Sequence, residues 1–197
     1  GDYDLAILQY EIAGLMGSSV GITNAAYMYE AGYADEEFFG GNEKIDELAF
    51  NLHMLAAKLD LADAHMKLGD YYYYGKGGVE KDLPLSISLY KVASENHVAQ
   101  ASFNLGYMHQ MGEGVAQDFH IAKRFYDLAV MDLPTAQYPV SVTMIFWAIH
   151  FVWQEGYAPI EMFLQAQSSS SSETFTSLIS ALPFEWDVML MIVLGAV

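Results

Sequence analysis

Residues 99–129, AQASFNLGYMHQMGEGVAQDFHIAKRFYDLA, read as a helix, a glycine turn and a second helix, and this unit is written more than once. In the first half Val98, Ala101, Leu105, Met108 and His109 recur at helical spacing. Gly106 leaves a notch there, where another backbone can approach. Gly112 and Gly114 end the helix, because glycine takes the left-handed conformation a helix stop needs. Asp118 stands where an N-cap belongs, its carboxylate able to accept from free amides of the next turn. Beyond it Ile121, Ala122, Phe125, Tyr126, Leu128 and Ala129 mark the expected buried face of the second helix.

Gly69-Asp70-Tyr71 through Gly75-Lys76-Gly77-Gly78-Val79 and Asp82 copies Gly106-Tyr107-Met108 through Gly112-Glu113-Gly114-Val115 and Asp118. Leu68 to Leu105 is a step of 37 and Asp82 to Asp118 a step of 36. A small residue near the end of each second helix falls at Ala13, Ala56, Ala93 and Ala129, with a ring three positions earlier: Tyr10, His53, Tyr90 and Tyr126. Helix-pair patterning at such a period signals a solenoid. The expected fold class is therefore all-α, an α/α solenoid whose hairpins bury their apolar faces against neighbours.

Along the chain, residues 1–138 read as the repeats, opening on a partial unit at 5–15 and enlarged at a turn, 33–46. That turn carries Asp35, Glu36, Glu37 and Glu43, either a solvated excursion or a site for a basic partner. Tyr71 to Tyr74 form an unbroken run, and four successive helical residues cannot all be buried. Tyr72 and Tyr73 are thereby candidates for protein recognition, with simple repeat packing as the alternative. Pro134 and Pro139 are expected to interrupt the next first helix.

Residues 139–165 read as an apolar membrane-proximal segment. The run 140–153 is too short to span a bilayer and suits a buried core helix or an interfacial one. Trp147, Trp153 and Tyr157 lean toward the interface, where such rings prefer to sit. With Phe151 and Phe163 they complete the candidate partner-binding set. The competing expectation is that Ile145, Phe146, Ile149 and Val152 merely cap the solenoid by packing on the preceding helix. Residues 166–182 form a Ser-rich linker, and 183–197 read as the start of a transmembrane helix, with Trp186 and flanking acids at its entrance. Both ends look cut, so a fragment or a processed form is expected.

The charge balance removes whole classes of function. Eight Lys plus Arg against 25 Asp plus Glu give a net charge of −17, which argues against nucleic acid, whose binding is driven by basic charge. With no cysteine there is no disulfide, thiolate nucleophile or cysteine metal site. Gly69 through Gly75-Lys76-Gly77 resembles a phosphate loop only loosely, since its spacing is one too long and Gly77 replaces the required Ser or Thr. None of the six histidines forms a His-x-x-x-His pair, and no Gly-x-Ser-x-Gly elbow exists. No enzyme and no cofactor are expected.

Ala-x-Ala-x-x-x-Leu-Gly at 99–106, Gly-x-Gly-Val-x-x-Asp at 112–118 and Ala-x-x-x-Tyr-x-x-Ala at 122–129 resemble the Sel-one-like repeat, a cousin of the tetratricopeptide hairpin. Residues 67–71, 101–129, Glu185-Trp186-Asp187 and Leu8-Gln9-Tyr10-Glu11 are further similar to the Sel-one-L and Hrd-three family, adaptors of the ubiquitin ligase of ER-associated degradation. The resemblance implies a single-pass type I protein of the ER membrane with its repeats in the lumen. Its implied partners are the membrane-embedded ubiquitin ligase subunit of the Hrd type, lectin co-adaptors, misfolded lumenal clients and the membrane. In that family the last repeats and the following segment dock on the ligase. A tetratricopeptide-like scaffold of another compartment is the alternative. Bacterial Sel-one-like enzymes tend to be cysteine-rich, unlike this chain.

Overall fold

The repeat is built at its turns, and the turns follow from a few residues. The computed structural model describes the backbone of residues 2–155 and the side chains of residues 2–147. In order the helices are α1 (Tyr3–Leu15), α2 (Ser19–Glu30), α3 (Glu36–Phe39), α4 (Asn42–Lys58), α5 (Ala62–Tyr74), α6 (Leu83–Glu95), α7 (Ala99–Met111), α8 (Phe119–Asp132) and, after a 3₁₀ turn at Pro134–Ala136, α9 (Gln137–Glu155). No strand occurs among the described residues. The pairs α2/α4, α5/α6 and α7/α8 are the hairpins, and each long helix from α1 to α8 packs on its neighbours in sequence.

Within a hairpin the stop and start signals act as the sequence suggests. Gly75 and Gly112 end α5 and α7 in the left-handed region, at φ 68° and 73°. Asp82 and Asp118 then cap α6 and α8, accepting from the amides of Leu85 and Ile121 at 3.0 Å each. The two turns close identically: the Asp82 amide donates to the Tyr72 carbonyl at 2.8 Å and the Asp118 amide to the His109 carbonyl at 2.9 Å.

Between hairpins a second left-handed position recurs that the sequence does not advertise. It falls on Gly17, Asp60 and His97, at φ 92°, 57° and 65°. Each time the following amide reaches back to the repeated alanine: Ser18 to Ala13 at 3.0 Å, Leu61 to Ala56 at 3.3 Å and Val98 to Ala93 at 3.1 Å. This is the helix stop in which a left-handed residue lets the next amide satisfy a late carbonyl. The equivalent residue after α8 is Leu133, at φ −140° and ψ 100°. Pro134 follows it, and a residue before proline is pushed toward extended backbone. The regular stacking step therefore ends at α8.

The core is divided among the hairpins. One cluster joins Met66, Ile87, Tyr90, Ala93, Ala101, Leu105 and Met108, and another joins Ile7, Tyr29, Ala34, Ile45, Ala49 and Tyr71. Gly106 admits the backbone approach expected of it, since a Cβ built there would lie 3.1 Å from the Ala122 carbonyl oxygen of α8, and it admits a ring as well. A Cβ built there would lie 2.7 Å from the Tyr126 ring, and one at Gly69 would lie 2.5 Å from the Tyr90 ring. The notch receives a ring from the second helix of the same hairpin. A closer backbone approach occurs between α1 and α2, where a Cβ on Gly21 would meet the Gly14 nitrogen and the Tyr10 carbonyl at 2.7 Å.

Other details differ from expectation for local reasons. The excursion at 33–46 holds a helical turn, α3, and α4 already begins at Asn42. Leu128 is exposed, whereas Phe119 is buried. Pro139 does not interrupt a helix, because it sits in the first turn of α9, where an amide has no intrahelical acceptor to lose.

The ring-in-notch pairing makes a specific prediction. Gly106→Ala should cost ~1–3 kcal/mol, because the new methyl meets a ring buried to 1 % exposure. The first hairpin places Ala26 and His53 at the same register, so adding Tyr126→His should recover part of that loss. Urea titration of the two single variants and the double variant checks it, and strict additivity would show that the ring does not fill the notch. By contrast Asp60→Gly should stabilise by about 1 kcal/mol in the same assay, because it relieves a left-handed residue.

Candidate functional site

Each ring that crosses a hairpin carries a polar tip to the first helix. The Tyr90 hydroxyl donates to Asp70 Oδ1 at 2.6 Å and the Tyr126 hydroxyl to Gln110 Oε1 at 2.6 Å. His53 Nε2 lies 2.9 Å from Glu30 Oε1. The first helices α2, α5 and α7 thus present a row of buried or half-buried polar groups. A second set of bonds ties one repeat to the next. Lys67 on α5 donates to Glu30 Oε2 on α2 at 2.8 Å, and Asn104 on α7 donates to Asp70 Oδ1 on α5 at 3.3 Å.

Two adjoining cavities open along this row and share Asp70 and Tyr74. The first, about 290 Å³, is walled by Tyr73, Phe103, Asn104 and Tyr107. The second, about 260 Å³, is lined by Glu30, Asp46, Lys67 and Lys76. Burial alone would push the Glu30 carboxyl up, but hydrogen bonds from His53 and Lys67 outweigh it and hold the group below its ordinary value. For Asp70 the balance is reversed: burial pushes it up, and the Tyr90 hydrogen bond offsets only part. His109, stacked on Phe125 with ring centres 5.6 Å apart, is held below its ordinary value by burial and by Lys91. Among the described residues no group of His, Asp and Glu is placed to hold a metal ion.

The structure disperses the expected partner-binding residues. Of the tyrosine run, Tyr71 is buried, Tyr72 and Tyr73 are half-buried, and Tyr74 is exposed. Tyr72 packs edge-on against Phe50, ring centres 5.9 Å apart. Tyr73 donates to Glu113, carries the Lys81 ammonium 5.1 Å from its ring centre and lines the first cavity. Trp147 is turned inward, 7 % exposed, with its ring 4.3 Å from that of Phe119 on α8. Among the described side chains of α9, Tyr138, Val142, Ile145 and Phe146 face solvent instead, Phe146 at 69 % exposure. Ile145 and Phe146, expected to pack in a cap, are thus outward. Phe151 and Trp153 belong to α9 beyond the described side chains, and Tyr157, Phe163 and the anticipated span at 183–197 lie outside the described residues.

Sequence reasoning missed Glu30, Lys67, Asp70, Tyr90 and Asn104 as a group. One signal was available, since Lys67 and Asn104 are one repeat step of 37 apart. What pairs with each depends on hairpin packing.

The two carboxyls oppose each other in pH dependence. Glu30, lowered by folding, contributes stability that is present above its ordinary value of 4.5 and lost as pH falls through the folded value. Asp70, raised by folding, contributes stability that is present below its ordinary value of 3.8 and lost as pH rises through the folded value. Glu30→Gln should therefore lower Tm at pH 7 and matter progressively less as pH falls below 4.5. Asp70→Asn keeps an acceptor for Tyr90 and should raise Tm at pH 7, with no such gain at pH 3. Thermal melts across that range check both signs.

Comparison with known proteins gives this architecture a family. Residues 62–97 and 99–131 match the Sel1 repeat family, and they coincide with the hairpins α5/α6 and α7/α8. Protein sel-1 homolog 2 of Rattus norvegicus is 38% identical over 145 residues, which cover 74% of this chain and 21% of that protein. The ERAD-associated E3 ubiquitin-protein ligase component HRD3A of Arabidopsis thaliana is 33% identical over 150 residues, covering 73% of this chain and 22% of that protein. This chain thus spans about a fifth of the length of these curated relatives. A crystal structure of a protective antigen present in uropathogenic Escherichia coli strains, displaying an SLR fold, superposes with a TM-score of 0.58 at 22% identity. That match covers 91% of this chain and 33% of the other, and it bears on the fold alone. The hairpins α5/α6 and α7/α8 are Sel1 repeats, and the chain is a Sel1-repeat protein.

Proposed function

We propose that this chain is a non-catalytic adaptor of an ER-membrane ubiquitin ligase complex, stabilising the ligase and recruiting misfolded lumenal proteins for ER-associated degradation. The observation that carries the reading is its similarity, across the repeats, to HRD3A and HRD3B, both ERAD-associated E3 ligase components by name. The structure is consistent with surface rather than chemistry as the working part, since the polar groups along the first helices chiefly bind one another and tie successive repeats together. On this reading the repeats lie in the lumen, residues 183–197 begin a single membrane span, and lectin co-adaptors and clients meet the repeats.

Docking of the membrane-embedded ligase subunit is assigned to the segment 140–163, through the outward side of α9. Val142, Ile145 and Phe146 are each more than half exposed there, and clustered exposed apolar side chains mark interaction sites. In sequence they also lie between the repeats and the proposed span, which on this reading brings them near the membrane surface. Trp147 has a different part, anchoring α9 to Phe119.

These parts separate on mutation in the full-length protein. Ile145→Ser with Phe146→Ser should sharply reduce co-purification of the Hrd-type ligase subunit while leaving the melting temperature of the repeats nearly unchanged. Trp147→Ser should instead lower the melting temperature by several degrees, because a buried indole is worth ~3–5 kcal/mol. Undiminished co-purification by the double variant would remove α9 as the docking element. A wild-type protein that co-purifies with no ligase subunit would favour the tetratricopeptide-like scaffold of another compartment.

A further inference from the structure

We infer that the cavity between α5 and α7 receives a lysine or arginine side chain from an extended segment of a partner protein. The inference rests on a gap in the polar row and does not depend on the ligase reading. In the second cavity the Glu30 carboxylate is neutralised from within, by the Lys67 ammonium at 2.8 Å and the His53 ring at 2.9 Å. One repeat further on, the residue that stands where Lys67 stood is Asn104. Its amide reaches the Asp70 carboxylate at 3.3 Å but brings no charge. The other partner of Asp70 is the Tyr90 hydroxyl, also neutral. Lys67, whose charge also acts on Asp70, has its ammonium bonded to Glu30. Asp70 is therefore a half-buried carboxylate whose repeat-equivalent cation is missing, and it faces a cavity of about 290 Å³.

The walls of that cavity suit the missing group. Tyr73, Tyr74, Phe103 and Tyr107 all line it, and aromatic faces attract ammonium and guanidinium groups within about 6 Å of their centres. Two of these rings already do so inside the chain, with Lys81 5.1 Å from the centre of Tyr73 and Lys76 5.9 Å from that of Tyr74. Burial holds the Asp70 carboxyl above its ordinary value, and an entering cation would draw it back. The net charge of −17 steers a basic segment toward this surface. The second cavity adjoins the first, sharing Asp70 and Tyr74 in its lining, and leaves room for flanking residues. A free anion or an acidic segment is excluded by the same charges.

The probe is a pair of peptides, acetyl-Ala-Ala-Arg-Ala-Ala-amide and its citrulline analogue, which keeps shape and loses the charge. Each is titrated at low salt into the full chain, labelled with nitrogen-15, and followed by NMR. The arginine peptide should bind about tenfold tighter than the citrulline peptide, as expected for a charge-assisted pair, and should shift the Asp70, Asn104 and Tyr107 amides. Asp70→Asn should abolish the preference. So should Asn104→Lys, which places the repeat-equivalent cation beside Asp70 and fills the role of the ligand. Unchanged helical circular dichroism shows that Asn104→Lys is folded, so this variant decides the matter independently of Asp70→Asn. Equal affinity for the two peptides, shifts confined to other residues, or a preference that survives Asn104→Lys would each overturn the assignment.

Discussion

The structure depends on an aromatic ring of one helix lying against the bare backbone of its hairpin partner. Gly69 receives Tyr90 and Gly106 receives Tyr126, at distances no side chain on the first helix could tolerate. Withdrawing such a ring from water is worth at most about 5 kcal/mol, at ~25 cal/mol per Å² over ~200 Å². Direction follows as much as energy. A ring held in the notch carries its hydroxyl across the hairpin, where Asp70 and Gln110 accept from it. The first hairpin reaches the same result with a smaller ring, His53, and a methyl, Ala26, in the place of glycine. Its polar tip again finds a carboxylate on the first helix.

Polar groups led inward in this way need partners, because burying a charge without one is expensive. The chain supplies them from the next repeat. Lys67 answers Glu30 and Asn104 answers Asp70, so the row of polar groups also fixes how successive hairpins register. The two answers are unequal in charge, and that inequality separates a cavity that is internally satisfied from one that is not. Both lie on first helices, while the second helices carry the turn geometry that stacks the repeats.

Stacking itself rests on the left-handed residue between hairpins. Gly17, Asp60 and His97 all adopt it, and two of the three are not glycine. Leu133 cannot follow, because Pro134 holds it extended. The last described helix, α9, therefore leaves the repeat step, touching α8 through Trp147 and Phe119 and presenting Val142, Ile145 and Phe146 outward. An adaptor of the kind proposed needs such a place, where the regular array stops and an apolar face is left for something else.

The sequence by itself determined the helical hairpin, its period and its stops. These are local matters: spacing of apolar residues, glycines at 75 and 112 that accept positive φ, and aspartates at 82 and 118 that accept from the amides three residues on. Helix starts and stops depend on residues within a turn of each other, so they survive in one dimension. What the tertiary structure decided concerns groups a whole hairpin apart. That Gly106 admits the Tyr126 ring, that Trp147 faces α8 rather than solvent, and that Asp70 meets Asn104 are contacts between residues 20, 28 and 34 positions apart. The repeat period placed Lys67 and Asn104 at equivalent stations. Only packing, which sets where each carboxylate ends up, could show that one of them faces a cation and the other does not.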